Sequence, residues 1–372
     1  MNRRTRVLHV ILNLNYGGME RLLVDMVRRI DRTQFDVHVL CIDYLGIFAE
    51  GLDRYAGVHL LGPQPRLSML RPRALIDFLR RLRPDVVHSH SGAWYKSALA
   101  ARRAGVPLIL HTDHGRPEPD PWRNRFFDGL ASRNTDVVVA VSEPLAHDLR
   151  RTIVARGVPI RVILNGVDTA RFHPRPDDGG LRDALGLPPD VPVLGSIGRL
   201  AWDKGYDVVI DAFARLRTDW RRPTPAPVLV IAGDGAERAD LERRIARHRL
   251  GDAVHLLGWR DDAPSLLAGF SVFTLASRME GTSISLLEAM STGIPSIVTD
   301  VGGNAAVLGP ELRHALVPPD DAAALAAAWA DLLADPDRAR RDGIVARRRV
   351  ERHFSVEATV REYEQLYREG AP

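Results

Sequence analysis

Only one cysteine and two lysines occur among the 372 residues. No apolar run approaches the roughly 18 residues needed to cross a bilayer. The single thiol, Cys41, excludes a disulfide framework and a cysteine-ligated metal site, and it fits a cytoplasmic setting. No Gly-x-Gly-x-x-Gly follows the first strand, and Gly233-Asp234-Gly235 is too short a match, which disfavours a nicotinamide dehydrogenase. No Asp-x-Asp directly follows a strand. The one instance, Asp335-Pro336-Asp337, lies in a helical, alanine-rich region. Short repeats, low-complexity tracts and coiled-coil heptads are absent too. The segment Arg3-Arg4-Thr5-Arg6 with Val7 to Leu12 has the outline of a secretory signal. Its apolar part is short, contains His9 and has no small-residue cleavage site, so it is expected to be the first strand.

What is present is an alternation of strand-like and helix-like segments. Arg6–Leu12, Asp36–Cys41, Asp85–His88, Pro107–His111 and Asp136–Val141 read as buried strands. Gly18–Ile30, Pro72–Leu82, Trp94–Ala104, Trp122–Asn134 and Ser142–Arg156 read as the helices between them. After a break rich in Pro, Gly and Asp (His173 to Pro192), a second series begins. Its strands are Val193–Ile197, Val228–Ala232, Val254–Leu257, Val272–Leu275 and Ser296–Thr299; its helices include Gly205–Leu216, Glu237–His248 and Ser283–Ser291. The expected class is α/β, with two doubly wound, Rossmann-like domains facing each other across a cleft at the carboxyl ends of their strands. The expected boundaries are 1–168, closed by the Asn165-Gly166-Val167-Asp168 turn, and 169–354. A last helix within 355–372 is expected to pack back on the first domain.

The most informative stretch is Glu280-Gly281-Thr282-Ser283-Ile284-Ser285-Leu286-Leu287-Glu288. It joins the strand Val272–Leu275 to a helix. One carboxylate sits in the loop and the other a turn or more into the helix. Between them, backbone N–H groups open the helix, and a helix N-terminus attracts phosphate. Two carboxylates beside a phosphate site do not hold the phosphate. They suit sugar hydroxyls, and the combination points to a sugar nucleotide. Upstream, Gly198-Arg199-Leu200 ends a strand and Lys204-Gly205 follows. A chain that uses arginine almost everywhere keeps a lysine here. A guanidinium fork with a compact point charge suits a diphosphate. A plain surface pair is the alternative, and the Glu280–Glu288 segment weighs against it.

Other segments support this reading. Gly17-Gly18-Met19-Glu20 opens the first helix, where glycine lets a ligand approach the backbone, although a plain tight turn has the same composition. His88-Ser89-His90 and His111-Thr112-Asp113-His114-Gly115 end two strands. A zinc site is one reading of these histidines. Histidines lining a polar cleft are favoured, with His114 beside the reacting sugar. Gly258-Trp259 ends a strand where either a nucleobase platform or a core tryptophan fits. Thr299 to Asn304 either closes over the donor sugar or is a simple loop.

Taken in order along nearly the whole chain, these residues resemble the retaining glycosyltransferases of family GT4, which have the GT-B fold. The resemblance implies an acceptor-binding first domain and a donor-binding second domain. It implies that Arg199 and Lys204 hold the donor diphosphate, Glu288 the ribose and Glu280 the transferred sugar. Gly18, Gly281, Thr282, Ser283 and Ile284 would add phosphate contacts, and His114 would approach the sugar and leaving group. No cofactor and no metal ion are expected, in keeping with the missing Asp-x-Asp. A UDP-sugar is favoured over GDP-mannose. One departure is clear: where members often carry a glutamate after the last glycine-rich loop, this chain has Asn304-Ala305-Ala306-Val307. The rival readings are a sugar-nucleotide epimerase or phosphorylase, and a nucleotide-sugar-binding protein without catalysis.

Charge bears on the acceptor. Residues 1–168 hold 25 Arg+Lys against 17 Asp+Glu, and the remainder 26 against 30. Arg21, Arg28, Arg29, Arg71, Arg73, Arg80, Arg81, Arg83, Arg102 and Arg103, with Trp94, Tyr95 and Trp122, read as a basic, partly aromatic face. Such a face fits peripheral contact with an anionic membrane, at the inner face of the plasma membrane, and a lipid-linked saccharide acceptor in exopolysaccharide or cell-envelope glycan synthesis. A small soluble acceptor is the alternative. Nucleic acid is not expected, because basic and aromatic residues do not interleave in a single-strand pattern.

Overall fold

Strands that are apolar on both faces need cover on both sides, which parallel sheets with crossover helices supply. The computed structural model describes residues 3–115 and 121–370, and in it the strands form two all-parallel sheets, each in its own unit. The first unit comprises Met1–Gly166 with Val356–Pro372, the second Val167–Ser355.

The first unit holds β1 (Thr5–Ile11), β2 (Phe35–Cys41), β3 (Gly57–Leu60), β4 (Val86–His90), β5 (Leu108–Asp113), β6 (Val137–Ala140) and β7 (Ile160–Val162). Their order across the sheet is β3-β2-β1-β4-β5-β6-β7. The helices between them are α1 (Gly18–Arg29), α2 (Arg73–Leu82), α3 (Trp94–Ala104), α4 (Trp122–Ser132) and α5 (Glu143–Thr152). Leu8, Val10, Val87, Ile109, Trp94 and Leu149 belong to the core that α2, α3 and α5 close against one face. The second unit holds β8 (Val193–Ile197), β9 (Val228–Ala232), β10 (Val254–Leu256), β11 (Val272–Leu275), β12 (Ser296–Thr299) and β13 (Leu316–Val317), in the order β10-β9-β8-β11-β12-β13. Its helices are α6 (Gly180–Leu185), α7 (Tyr206–Thr218), α8 (Arg238–Arg247), α9 (Ala263–Ala268), α10 (Ile284–Ser291), α11 (Asn304–Leu308), α12 (Ala322–Ala334) and α13 (Pro336–His353).

The chain then returns to the first unit as α14 (Val356–Gly370). The Glu364 carboxylate accepts the Asp31 N–H at 2.8 Å, and Arg29 pairs with Glu357 at 3.1 Å. Tyr363 and Tyr367 of α14 are buried against the sheet face that carries His88. In both sheets the strand order reverses once, between β1 and β4 and between β8 and β11. Ligands of doubly wound sheets bind outside the carboxyl ends of the strands at such a reversal.

The central strands match the segments expected from the sequence. Of the four edge strands only β10 is expected from the sequence; β3, β7 and β13 are not, because no residue of β3 or β7 is buried and β13 is two residues long. The expected helix Ser142–Arg156 stops at Thr152, where Ile153 leaves helical geometry (φ −134°, ψ −51°). Asp335-Pro336-Asp337 proves to be a helix start: the Asp335 carboxylate accepts the Arg338 N–H at 2.9 Å, and Pro336 opens α13.

Candidate active site

In the second unit the sheet reversal brings two loops together. β8 and β11 pair directly, so the loop after β8, with Arg199 and Lys204, lies beside the loop after β11, with Ser277 to Ser283. Lys204 closes a short 3-10 turn and Gly205 follows with φ +63°. A Cβ at Gly205 would stand 2.1 Å from the Ala276 carbonyl oxygen, so the turn reaches the end of β11 only with glycine here. The result is an ion pair: Lys204 Nζ donates to Glu280 Oε1 at 2.7 Å, and the Ser277 hydroxyl donates to the same oxygen at 2.7 Å. The two charged side chains are only 20% and 7% exposed.

The backbone of Glu280 is held from another side. Gly302, with φ +53°, sits so close that a Cβ would come within 1.7 Å of the Glu280 carbonyl oxygen, and the Gly303 N–H donates to the Gly281 carbonyl at 2.9 Å. The loop after β12 is therefore a support for Glu280 and Gly281. Asn304 does not project from it. Its side chain is fully buried and donates to the Thr299 carbonyl at 3.0 Å. Arg278, which sequence reasoning passed over, binds the loops together. It donates to the Trp202 carbonyl (2.7 Å), Asp207 (2.8 Å) and Asp320 (2.7 Å). Its guanidinium stays firmly protonated, first through the bond to Asp207.

α10 begins at Ile284, one residue later than expected. Ser283 is its N-cap, and its hydroxyl accepts the Leu286 N–H at 3.3 Å. Thr282 and Ser283 are buried, and Glu288 lies half-buried in the second turn. Arg199 is 68% exposed and only loosely paired, 3.6 Å from Asp203. Such exposed pairs are weak and give way to a better anion. The loops after β8, β9 and β10 are stitched backbone to backbone: Leu200 N–H to the Asp234 carbonyl at 3.0 Å, Gly233 N–H to the Gly258 carbonyl at 2.7 Å. Trp259 stands at the edge of this seam, 36% exposed, and is not a core residue.

In the first unit Gly18 is the first residue of α1 and Gly17 its N-cap. Glu20 lies in the same first turn and a Cβ at Gly17 would meet its carboxylate, so this helix start already faces one negative charge. His88, His90 and His111 do not line an open surface, contrary to expectation. They are 0%, 2% and 1% exposed. Parallel register sets His9 beside His88 and His90 beside Thr112 on one sheet face, where Tyr363 and Tyr367 cover them. Ser89 and His111 point the other way, where Trp94 stacks on His111 at 4.0 Å. Trp94 is itself 1% exposed, so it cannot belong to the expected basic aromatic face; Trp122 is 74% exposed, and Phe126, one turn along α4, is exposed too.

His114, just after β5, is partly exposed, while its Nδ1 is buried without a hydrogen-bonding partner. His9, in which sequence reasoning saw only an odd residue in an apolar strand, bonds to His90, and His90 to His114. Burial pushes His9 down to about 3 and His114 to about 4, and holds His88 and His90 well below the usual imidazole range. Donor atoms of His9, His88 and His90 lie within 4.8 Å of one another. Both His88 nitrogens, however, are engaged at 2.7 Å, with the Tyr367 and Thr112 hydroxyls. Within the trio only His9 and His90 share a hydrogen bond, while His88 bonds to the two hydroxyls.

Residues 179–349 match the family model "Glycosyl transferases group 1", and residues 16–171 match "Glycosyltransferase Family 4". The chain is 28% identical over 86% of its length to UDP-Gal:alpha-D-GlcNAc-diphosphoundecaprenol alpha-1,3-galactosyltransferase of Escherichia coli, covering 85% of that protein. It is 30% identical over 77% of its length to glycogen synthase of Mycobacterium tuberculosis, covering 69% of it. Among solved structures, Anabaena HepE in complex with UDP and glucose superposes with a TM-score of 0.86 at 23% identity, over 98% of this chain and 100% of that one. Sucrose-phosphate synthase from Thermosynechococcus elongatus gives 0.79 at 23% identity, over 98% and 99%. At that identity the structural likeness establishes the fold, which is GT-B. The chain belongs to the family 4 glycosyltransferases of group 1, and it is a hexosyltransferase.

Proposed function

We propose that the protein moves a hexosyl group from a nucleoside-diphosphate sugar, a UDP-sugar in preference to GDP-mannose, to a lipid-linked saccharide, with retention of anomeric configuration and without a metal ion. The observation that carries this is the Lys204–Glu280 contact at 2.7 Å beside the start of α10. A cation and a carboxylate in one place suit a diphosphate joined to a sugar. Lys204, Arg199 and the opening turn of α10, with the amides of Gly281, Thr282 and Ile284, take the diphosphate. Glu280 accepts from sugar hydroxyls, Glu288 from the ribose, and Trp259 packs on the base. Gly18 and His114 are assigned to the donor phosphate and the transferred sugar. The bond from C1 to the diphosphate oxygen breaks and its electrons leave with the diphosphate. The acceptor oxygen bonds C1 on the same face, and its proton passes to the departing phosphate. The charge on that leaving group is met by Arg199 and Lys204, which supports a reaction without a divalent cation. The name of the Escherichia coli relative, with its UDP-sugar donor and diphosphoundecaprenol acceptor, supports both substrate classes.

Thermal stabilisation by a panel of nucleotides and nucleotide sugars in EDTA, then with magnesium, tests the donor half. UDP and one UDP-sugar are expected to raise the melting temperature in EDTA, and Glu288→Ala to abolish most of the shift given by UDP alone. A shift that requires magnesium would overturn the metal-free reading. The anomeric configuration of the product, read by NMR, tests retention.

On this reading the protein meets its acceptor at the cytoplasmic face of an anionic membrane. Among the described residues no helix is long and apolar enough to cross a bilayer. Trp122 and Phe126 stand exposed one turn apart on α4, beside exposed Arg123 and Arg125. Aromatic rings at headgroup depth with flanking arginines favour interfacial contact. Flotation with anionic but not neutral liposomes is expected, weakened by Trp122→Ala with Phe126→Ala. Binding indifferent to lipid charge would sink this part.

A further inference from the structure

Arg278 stands two residues before Glu280, where loops of the second unit meet. Its backbone N–H donates to the Asp203 carbonyl at 2.8 Å, and its guanidinium donates to the Trp202 carbonyl at 2.7 Å. Trp202 and Asp203 are the two residues that lead into Lys204. The Lys204 ammonium in turn meets Glu280. The contacts therefore close a ring. The chain joins Arg278 to Glu280 and Lys204 to Trp202, the ion pair joins Glu280 to Lys204, and the hydrogen bond joins Trp202 to Arg278. A bound diphosphate competes for the ion pair alone. The Arg278 bonds still hold the two loops together once that pair opens.

Arg278 is poorly placed to bind an anion itself. Its side chain is 12% exposed and already meets two carboxylates, Asp207 in the first turn of α7 at 2.8 Å and Asp320 in the loop after β13 at 2.7 Å. The guanidinium also lies over the Trp202 ring, 4.9 Å from its centre. A planar fork with several N–H groups serves all these partners at once, whereas an ammonium is a compact point charge. Asp320 reaches in from a left-handed backbone conformation, φ +56°, which a residue other than glycine adopts at a cost.

We propose that Arg278 is a positioning residue for glycosyl transfer: it fixes the turn that carries Lys204 against the loop that carries Glu280, so that the ammonium stays aimed at the donor diphosphate when the ion pair opens, and Asp320 keeps the guanidinium in that pose. The inference rests on the reading that Lys204 contacts the diphosphate.

A double-mutant cycle, read by calorimetric titration with UDP, separates positioning from general support of the fold. Arg278→Lys keeps the positive charge and removes the fork. It is expected to weaken UDP binding about tenfold in the wild-type background and less than about twofold in a Lys204→Ala background. Equal losses in both backgrounds would overturn the proposal, because a merely structural role does not depend on Lys204. No loss in the wild-type background would overturn it too. If Lys204→Ala alone leaves UDP affinity unchanged, the diphosphate reading itself fails, and with it this one. Should Arg278→Lys not fold, Asp320→Gly decides. Glycine takes the left-handed conformation freely, and the lost ion pair involves a carboxylate that is 58% exposed, so the melting temperature is expected to hold. UDP binding is expected to weaken about threefold, and only where Lys204 is present. UDP affinity equal to the wild type in Asp320→Gly, or a loss that persists in Lys204→Ala, would refute the clamp.

Discussion

Lys204→Ala is expected to lower kcat/KM by about 10²- to 10³-fold, the range seen when one preorganised donor to developing charge is removed. The reason is local. Lys204 is one of two lysines in the chain and its ammonium is mostly buried, 2.7 Å from a carboxylate that is 7% exposed. Without it, Glu280 keeps only the Ser277 hydroxyl as a partner at that oxygen, which costs about 1–3 kcal/mol of stability as well. Glu280→Gln separates the two roles. It removes the charge that holds Lys204 and keeps the shape. Nucleotide diphosphate without sugar is therefore expected to bind about tenfold more tightly than to the wild type, while turnover of the sugar donor falls. The sequence assigns Glu280 to the sugar; through the ion pair it is expected to bear on diphosphate binding too. Calorimetric titration with UDP decides: unchanged UDP affinity in Glu280→Gln would mean that Lys204 does not contact the diphosphate.

The buried central strands and the Glu280–Glu288 segment were legible in the sequence because their signals are local. Val137–Ala140 and Val228–Ala232 are unbroken apolar runs, and Glu280 to Glu288 is contiguous. What was not legible depends on register. His9 and His90 are 81 residues apart, and only the parallel pairing of β1 with β4 sets them on one face. The cover supplied by Tyr363 and Tyr367 arrives from the far end of the chain, which is why His88 and His90 read as surface ligands and are in fact buried. Gly302 and Gly303 are visible as glycines in any reading. That they support Glu280 follows only from the loops after β11 and β12 lying side by side.

Mild acid is expected to destabilise the first unit well before carboxylates titrate. Its folded state holds His9, His88, His90 and His114 neutral by burial, with His38 and His59 depressed less strongly. The unfolded chain protonates each of them near 6.5. Below that pH the unfolded state binds more protons than the folded one, so stability falls as pH falls, by up to about 1.4 kcal/mol per pH unit for each histidine held neutral. The loss begins near pH 6.5 and continues to the folded-state values, about 4 for His114 and about 3 for His9. Carboxylates with depressed values, such as Asp36 beside Arg6, add their own loss only below about pH 4. Four such histidines predict a loss of several kcal/mol between pH 6.5 and 5, a large share of the stability of an ordinary domain. Urea unfolding at pH 7.5, 6.5, 5.5 and 5.0 reads it directly, and His9→Phe is expected to reduce the slope by close to one proton. Stability that stays flat down to pH 4.5 would show that these rings take up protons within the fold.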